Sequence, residues 1–464
     1  MFIPKRQIIE RGIQPPKSTI TMINEENAMT YFNRVLLLGT GPTAIQLAVN
    51  FKQYFMSKIA IAGRQSIRSH MVFESIIQHQ LTLQVSVQNS QHQPVAGEST
   101  IDELFKGYHS INGKWDTVVL CVTTDSYISV LAEIETDVLK EVSCFILISP
   151  TFGSSHLITN FLKNLSPHAE VISFSTYYGD TRWLDDIPSN KVVTTGVKKT
   201  VYIGSTQATS EIVDELCTLF NRLGIQLKKV PSPLEAETRN ISLYVHPPLL
   251  MNDFSLQAIF DEQNTPKYVY KLYPEGPITY TTIRLMLNYW KEMMAVVNYL
   301  HIQPLNLLKF MVVDNYPLHP ESIDRQEIEN FNQLEPIHQE YLLYIRYASL
   351  LIDPFSKPDQ DGKYFDFSTV PLRRIFTNQN GEWDVPRMPK EDYYRVKIIQ
   401  GIAKALKLKS PTFDNLVQTY EEKLRQVVAS SDLKTYSDAF QVKSFSQDIK
   451  MISKELMSNP NTKE

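Results

Sequence analysis

This sequence predicts an α/β fold in two parts, a parallel-sheet half followed by a mainly helical half. Three observations carry the prediction. The stretch RVLLLGTGPTAIQLA at 34–48 joins a short apolar run to a helical pattern through two glycines. Apolar runs of strand length then recur as far as Val230. Beyond Pro231-Ser232-Pro233 the long apolar residues recur at helical spacing instead. Strands alternating with helices give a covered parallel sheet, and helical patterns without strands give helix-on-helix packing.

The run 35–38 has the length of a buried strand. Gly39, Thr40, Gly41, Pro42, Thr43 and Ala44 follow it as a G-x-G-x-x-A turn into a helix. Gly39 permits the tight turn, Gly41 lets backbone approach a pyrophosphate, and Ala44 lets helix and strand pack closely. Pro42 suits a first helical turn, where a missing N–H costs little. The unpaired N–H groups of that turn favour an anion. A second strand at 58–62 completes a βαβ unit of Rossmann type. The glycines taken alone would mark only a strand-to-helix turn; the strands on both sides favour a dinucleotide site.

Past Ala62, where an NAD enzyme carries an acid for the ribose 2′-hydroxyl, the chain reads Gly63-Arg64-Gln65-Ser66-Ile67-Arg68. A guanidinium pairs with a 2′-phosphate and a carboxylate repels it, so Arg64 and Arg68 favour NADPH over NADH. The alternative is a solvated basic loop. Runs at 81–87, 117–122, 145–148 and 171–175 read as further strands, with Thr123 and Pro150 at the ends of two of them. Strand ends of this kind carry ligand loops in open α/β sheets, though caps and turns also use such residues. Runs 191–195 and 200–203 flank Gly196 and predict a hairpin. A helix over 210–223 and a strand over 226–230 close the first half. Helical patterns follow at 283–300, 340–352, 393–406 and 413–428. The expected organisation is an N-terminal extension (1–33), a nucleotide-binding domain (34–232) and a helical substrate and dimerisation domain (233–464).

Composition narrows the function. A net charge of −4 gives no reason to expect nucleic acid. Three cysteines far apart form neither a disulfide framework nor a metal-ligand spacing, and no two histidines fall in an H-x-x-x-H pattern, so no metal site is expected. No apolar run reaches the roughly 20 residues of a membrane helix, and the first thirty residues lack the apolar core of a signal peptide. The expectation is a soluble cytoplasmic protein.

Longer blocks carry a resemblance. They are GTGPTAIQLA (39–48), ILISPTFGS (146–154), VISFSTYYGDTR (171–182), TTGVKKTVYIGST (194–206), SPLEAETRN (232–240), SLYVHPPLLMNDFSL (242–256), YVYKLYPEGPIT (268–279) and PRMPKEDYYR (386–395). With these the chain resembles the opine metallophore dehydrogenases of the staphylopine type, from about Arg34 to Lys450. The resemblance implies NADPH-dependent reductive condensation. The amine of a histidine-derived aminobutyrate intermediate joins pyruvate or a similar 2-keto acid, and the imine is reduced to an opine that binds metal after export. It also implies a homodimer and places the catalytic histidine at His246 and a functional aspartate at Asp180. The second phosphate contact, a lysine in the family, falls on His70 here; either Arg68 replaces it or the preference for NADPH is weaker. Related opine dehydrogenases suggest Asp353 as a weaker alternative to Asp180.

Elementary chemistry agrees. Histidine has the unperturbed pKa suited to proton transfer near neutrality, and His246 lies in Tyr244-Val245-His246-Pro247-Pro248, where two prolines are expected to hold the chain out of a regular helix. Asp180 is expected near His246, orienting the imidazole and raising its pKa; alternatively it caps a turn or pairs with Arg182. The substrates are polycarboxylates, so Arg239, with Lys271 fainter, is expected in the cleft, and Tyr244 and Tyr270 are expected to touch ligand. Two other functions fit the nucleotide motif: an NADP-dependent keto-acid reductase without an amine partner, and a non-catalytic NADPH sensor.

Overall fold

The short apolar runs become two sheets. Strands β1 (Arg34–Leu38), β2 (Lys58–Gly63), β3 (Thr82–Val87), β4 (Gly97–Thr100), β5 (Glu103–Lys106), β6 (Thr117–Leu120), β7 (Cys144–Leu147), β8 (Glu170–Phe174), β9 (Gly179–Trp183), β10 (Lys191–Val197), β11 (Thr200–Ser205) and β12 (Gln226–Lys229) follow one another along the chain. The computed structural model describes residues 31–261, 265–315, 318, 321–349, 367–430 and 434–458. Eight strands form the main sheet in the order β12-β11-β8-β7-β6-β1-β2-β5. The run from β5 to β8 is parallel, and β11 joins β8 antiparallel. A second sheet has the order β4-β3-β10-β9.

This second sheet corrects the hairpin expected around Gly196. β10 pairs with β3 and β9, whereas β11 pairs with β8 and β12 in the main sheet. The turn between them does not fold back on itself. The Lys198 N–H donates to the Tyr178 carbonyl at 2.8 Å and steers the chain from one sheet to the other.

Helices α1 (Pro42–Phe55), α2 (Ile67–Gln78), α3 (Tyr127–Ala132), α4 (Thr136–Lys140), α5 (Ser154–Leu162) and α6 (Glu211–Arg222) belong to the first half. Successive residues of a strand point to opposite faces. Val35, Leu37, Ile59 and Ile61 accordingly pack with Ala44, Ile45 and Ala48 of α1, while Leu36, Leu38, Ala60 and Ala62 pack with Tyr127 and Leu131 of α3. Covered on both faces, the strands read as continuous apolar runs.

The second half holds α7 (Pro233–Thr238), α8 (Ile241–Leu250), α9 (Asp253–Phe260), α10 (Tyr280–Tyr299), α11 (Leu307–Lys309), α12 (Arg325–Asn330), α13 (Pro336–Ser349), α14 (Arg387–Ala405), α15 (Pro411–Ala429) and α16 (Ser446–Ser458). Helix α8 is a second correction: Pro247 and Pro248 lie inside it. They remove the N–H groups that would bond the carbonyls of Leu243 and Tyr244. The helix persists because it is apolar almost all round, with Ile241, Leu243, Tyr244, Val245, Leu249 and Leu250 all buried, so packing overrides propensity. Near the C-terminus, α16 returns to α5, where Asn160 donates to Glu455 at 3.2 Å. Ile452 and Ile402 close over Gly153 at the start of α5, within 3.3 Å of where a Cβ would stand. The described residues fall in one compact unit.

Candidate functional site

Strand β1 lies between β6 and β2, so successive connections leave it in opposite directions. Such a switch point opens a crevice beyond the carboxyl ends of the strands. Gly39 turns there with φ +128°, and a Cβ on it would meet the Cys121 carbonyl oxygen at 2.8 Å. Gly41, the N-cap of α1, has no side-chain cap, and a Cβ on it would meet nothing within 4 Å. One glycine is therefore needed by the fold and the other leaves open space at a helix N-terminus. Gly63 lies so close to Thr40 that a Cβ would come within 2.4 Å of its methyl group, and the Thr40 hydroxyl is 3.0 Å from that of Ser69. Together they fix the loop that carries Pro42, Thr43 and Ala44 into α1. Thr123 is exposed beyond β6 and within 3.3 Å of the Ser126 hydroxyl; Pro150 is buried beyond β7.

The next loop carries the cations. Arg64 and Arg68 are both exposed at the start of α2, and no carboxylate pairs with either guanidinium among the described residues. Burial, together with the Arg64 and Arg387 charges, pushes the Arg68 pKa down. His70 turns toward Glu74, at 4.0 Å, and Glu74 binds Lys106 at 3.0 Å. The open glycine, the uncapped helix start and two arginines with no carboxylate partner among the described residues fit a dinucleotide with a 2′-phosphate.

Helix α8 carries His246. The side chain is half-buried, and its Nδ1 has no hydrogen-bond partner. Burial, then the charges of Arg395, Arg387 and Lys198, push its pKa down to about 3. The imidazole is neutral at physiological pH and able to accept a proton. Both arginines come from the first half of α14. Arg387 binds Glu391 at 2.6 Å; Arg395 pairs with the fully buried Asp392 and donates to the Ser242 carbonyl at 3.4 Å. Burial pushes the Asp392 carboxyl up to about 7 despite Arg395.

The structure does not bring Asp180 to the imidazole. Asp180 lies in β9 and accepts from Arg182 at 2.6 Å and from the Thr195 hydroxyl at 2.8 Å. The pairing with Arg182 left open by the sequence is present, and Arg182 and Thr195 hold the carboxyl below the usual range against burial. Arg239 donates to Glu235 at 3.1 Å and to the Gln303 carbonyl at 2.9 Å, which commits it to a largely buried local pair. The Tyr244 hydroxyl donates to the Thr238 carbonyl at 2.8 Å inside the core, and Tyr270 packs against that same core. Lys271 lies on a turn where its carbonyl accepts from the Ile278 N–H at 3.2 Å. Asp353 falls outside the described residues.

Residues that sequence reasoning missed stand nearer the imidazole. Lys198, Arg387 and Arg395 are in quoted blocks, yet only the fold turns them toward α8. Glu237 was missed as well. It is fully buried and accepts from the Gly153 N–H at 2.8 Å, the Ser155 N–H at 2.7 Å and the Ser173 hydroxyl at 2.9 Å, bracing α7 against the start of α5. Burial pushes its carboxyl up to about 7. Among the described residues no group of three or more His, Cys, Asp or Glu is placed to hold a metal, and no helix is long and apolar enough to cross a membrane.

Comparison with known proteins gives consistent matches. The family model described as staphylopine dehydrogenase matches residues 33–456. A staphylopine synthase of Staphylococcus aureus is 45% identical over 92% of this chain and 99% of its own length. A pseudopaline synthase of Pseudomonas aeruginosa is 34% identical over 85% of this chain and 90% of its own. Among solved structures, a yersinopine dehydrogenase with NADP+ bound superposes with a TM-score of 0.85 at 27% identity, covering 92% of this chain and all of that one. An octopine dehydrogenase in complex with NADH and agmatine shares the fold at a TM-score of 0.56 and 15% identity, over 84% of this chain and 89% of that one.

Proposed function

The chain belongs to the staphylopine dehydrogenase family, and from that premise we propose that His246 is the proton-transfer residue of an NADPH-dependent reductive condensation. The substrates are the amine of a histidine-derived aminobutyrate intermediate and pyruvate or a similar 2-keto acid, and the product is an opine metallophore. The observation that carries the reading is the half-buried imidazole of His246, whose Nδ1 has no hydrogen-bond partner and which the charges of Lys198, Arg387 and Arg395 reach. Residues 34–232 hold the nucleotide and residues 233–464 supply α8 and α14 to the substrate side. The reaction takes place in the cytoplasm, where NADPH is available.

When bound, NADPH supplies the hydride that reduces the imine carbon, and Gly41, the α1 N-terminus, Arg64 and Arg68 hold it. His246 accepts a proton from the attacking amine, so that nitrogen adds to the keto carbon, and returns a proton as water leaves. The cations do two things. They bind substrate carboxylates, and they add to the effect of burial in keeping the imidazole neutral until those carboxylates offset their charge. Carboxylate binding therefore raises the basicity of His246 at the moment it is used. Asp180, tied to Arg182, supports β9 in this account and does not orient the imidazole.

The test is NADPH oxidation with a panel of amines and 2-keto acids, with products identified by mass. Oxidation that needs both partners, and a product equal to their sum less water plus two hydrogens, is the expected result. Equal oxidation with keto acid alone would identify a simple keto-acid reductase, and binding without oxidation a sensor.

A further inference from the structure

We infer that Lys198 is the anchor for the carboxylate of the 2-keto acid and so sets the enzyme's demand for an acid rather than a neutral ketone. The inference deepens the proposed function and rests on it. The charges of three cations reach His246, and two of them already have acidic partners: Arg387 has Glu391, and Arg395 has Asp392. The Lys198 ammonium has no acceptor among the described residues although its side chain is half-buried, and burial pushes its pKa down. A partly desolvated, unpaired charge is costly unless a ligand completes it.

Placement selects which ligand group does so. Lys198 follows β10 and precedes β11, its N–H held by the Tyr178 carbonyl, so it stands on the turn between the two sheets, on the nucleotide side. The two arginines come from α14, on the helical side. A 2-keto acid carries its carboxylate on the carbon next to the one that receives hydride. Its anchor must therefore lie near both the nucleotide and the proton-transfer group. Lys198 is the one of the three on the nucleotide-binding half, and its charge reaches the imidazole.

The test uses the full chain with pyruvate, methyl pyruvate and the amine substrate. Lys198→Met is expected to raise KM for pyruvate about ten- to a hundredfold, the effect of losing a charge-assisted contact. KM for the amine and NADPH affinity should stay within about twofold. The preference for pyruvate over its methyl ester should vanish in Lys198→Met and return in part in Lys198→Arg, which a merely structural lysine would not produce. An unchanged pyruvate KM, a retained acid preference, or a shift in amine KM instead would overturn the assignment. If Lys198→Met fails to bind NADPH, Lys198→Gln is judged by the same acid-to-ester ratio. A wild-type enzyme that condenses no keto acid with any amine removes the functional reading itself; an active one with unmoved Lys198 variants removes this inference alone.

Discussion

At the scale of single residues, the sequence placed the loop after β2 in its local setting but not the charged groups whose fields reach α8. Arg64 could be read because its place after β2 is fixed by the βαβ unit, whatever the rest of the chain does. Arg64→Asp is expected to raise KM for NADPH about ten- to a hundredfold and KM for NADH far less; equal effects would remove Arg64 from the phosphate site. Arg68→Ala should follow the same pattern and His70→Ala should not, since His70 turns to Glu74. Lys198, Arg387 and Glu237 were not legible, because the groups they reach, His246 for the first two and the start of α5 for the third, lie far away in sequence. Glu237 gives a pH signature. Its folded pKa, about 7, exceeds the unfolded value of about 4.3, so the folded state keeps a proton that the unfolded state has lost in between. Its contribution to stability is present below the unfolded value and fades as pH rises toward about 7. The melting temperature of Glu237→Gln relative to wild type should therefore climb between pH 5 and pH 7.5. A constant difference would place the ionised carboxylate in the folded state throughout.

At the scale of elements, hydrophobic pattern recovered what local order decides. Strands β1, β2, β6, β7 and β8 and helices α10 and α15 match the expected runs within a few residues of their ends, while α14 begins six residues before the expected 393. Two failures have physical reasons. Runs 191–195 and 200–203 look like hairpin partners, but strand pairing is settled by the Lys198–Tyr178 bond and by distant strands, which no local pattern encodes. Pro247 and Pro248 predict a broken helix, but burial on every side keeps α8 intact. The glycine turn separates fold from function in one experiment. Gly39→Ala meets both a positive φ and the Cys121 carbonyl, and should cost about 1–3 kcal/mol and lower Tm. Gly41→Ala meets nothing, so Tm should barely move while NADPH affinity falls about tenfold or more, because the added methyl group stands where backbone must approach the pyrophosphate. Equal Tm losses in the two variants would show that Gly41 serves only the turn.

At the scale of the whole molecule, the long blocks shared with the family made the architecture and the reaction class readable, since they bring strand ends and α8 into one arrangement. A homodimer is the expected assembly. Ile337, Tyr341 and Tyr344, spaced i, i+4 and i+7 along α13, are 64%, 60% and 39% exposed and form an apolar stripe suited to a second copy. Sedimentation should show a dimer for the wild type and a monomer for Ile337→Glu with Tyr341→Lys; a wild-type monomer at micromolar concentrations contradicts this. The most direct test of the chemistry is single-turnover hydride transfer in His246→Ala, with NADPH affinity measured on the same preparation. Near-native NADPH binding is expected, because the nucleotide contacts proposed above lie on the other half, with hydride transfer slowed about 10²–10⁴-fold. An unchanged transfer rate on the bound complex would contradict it and take His246 out of the mechanism.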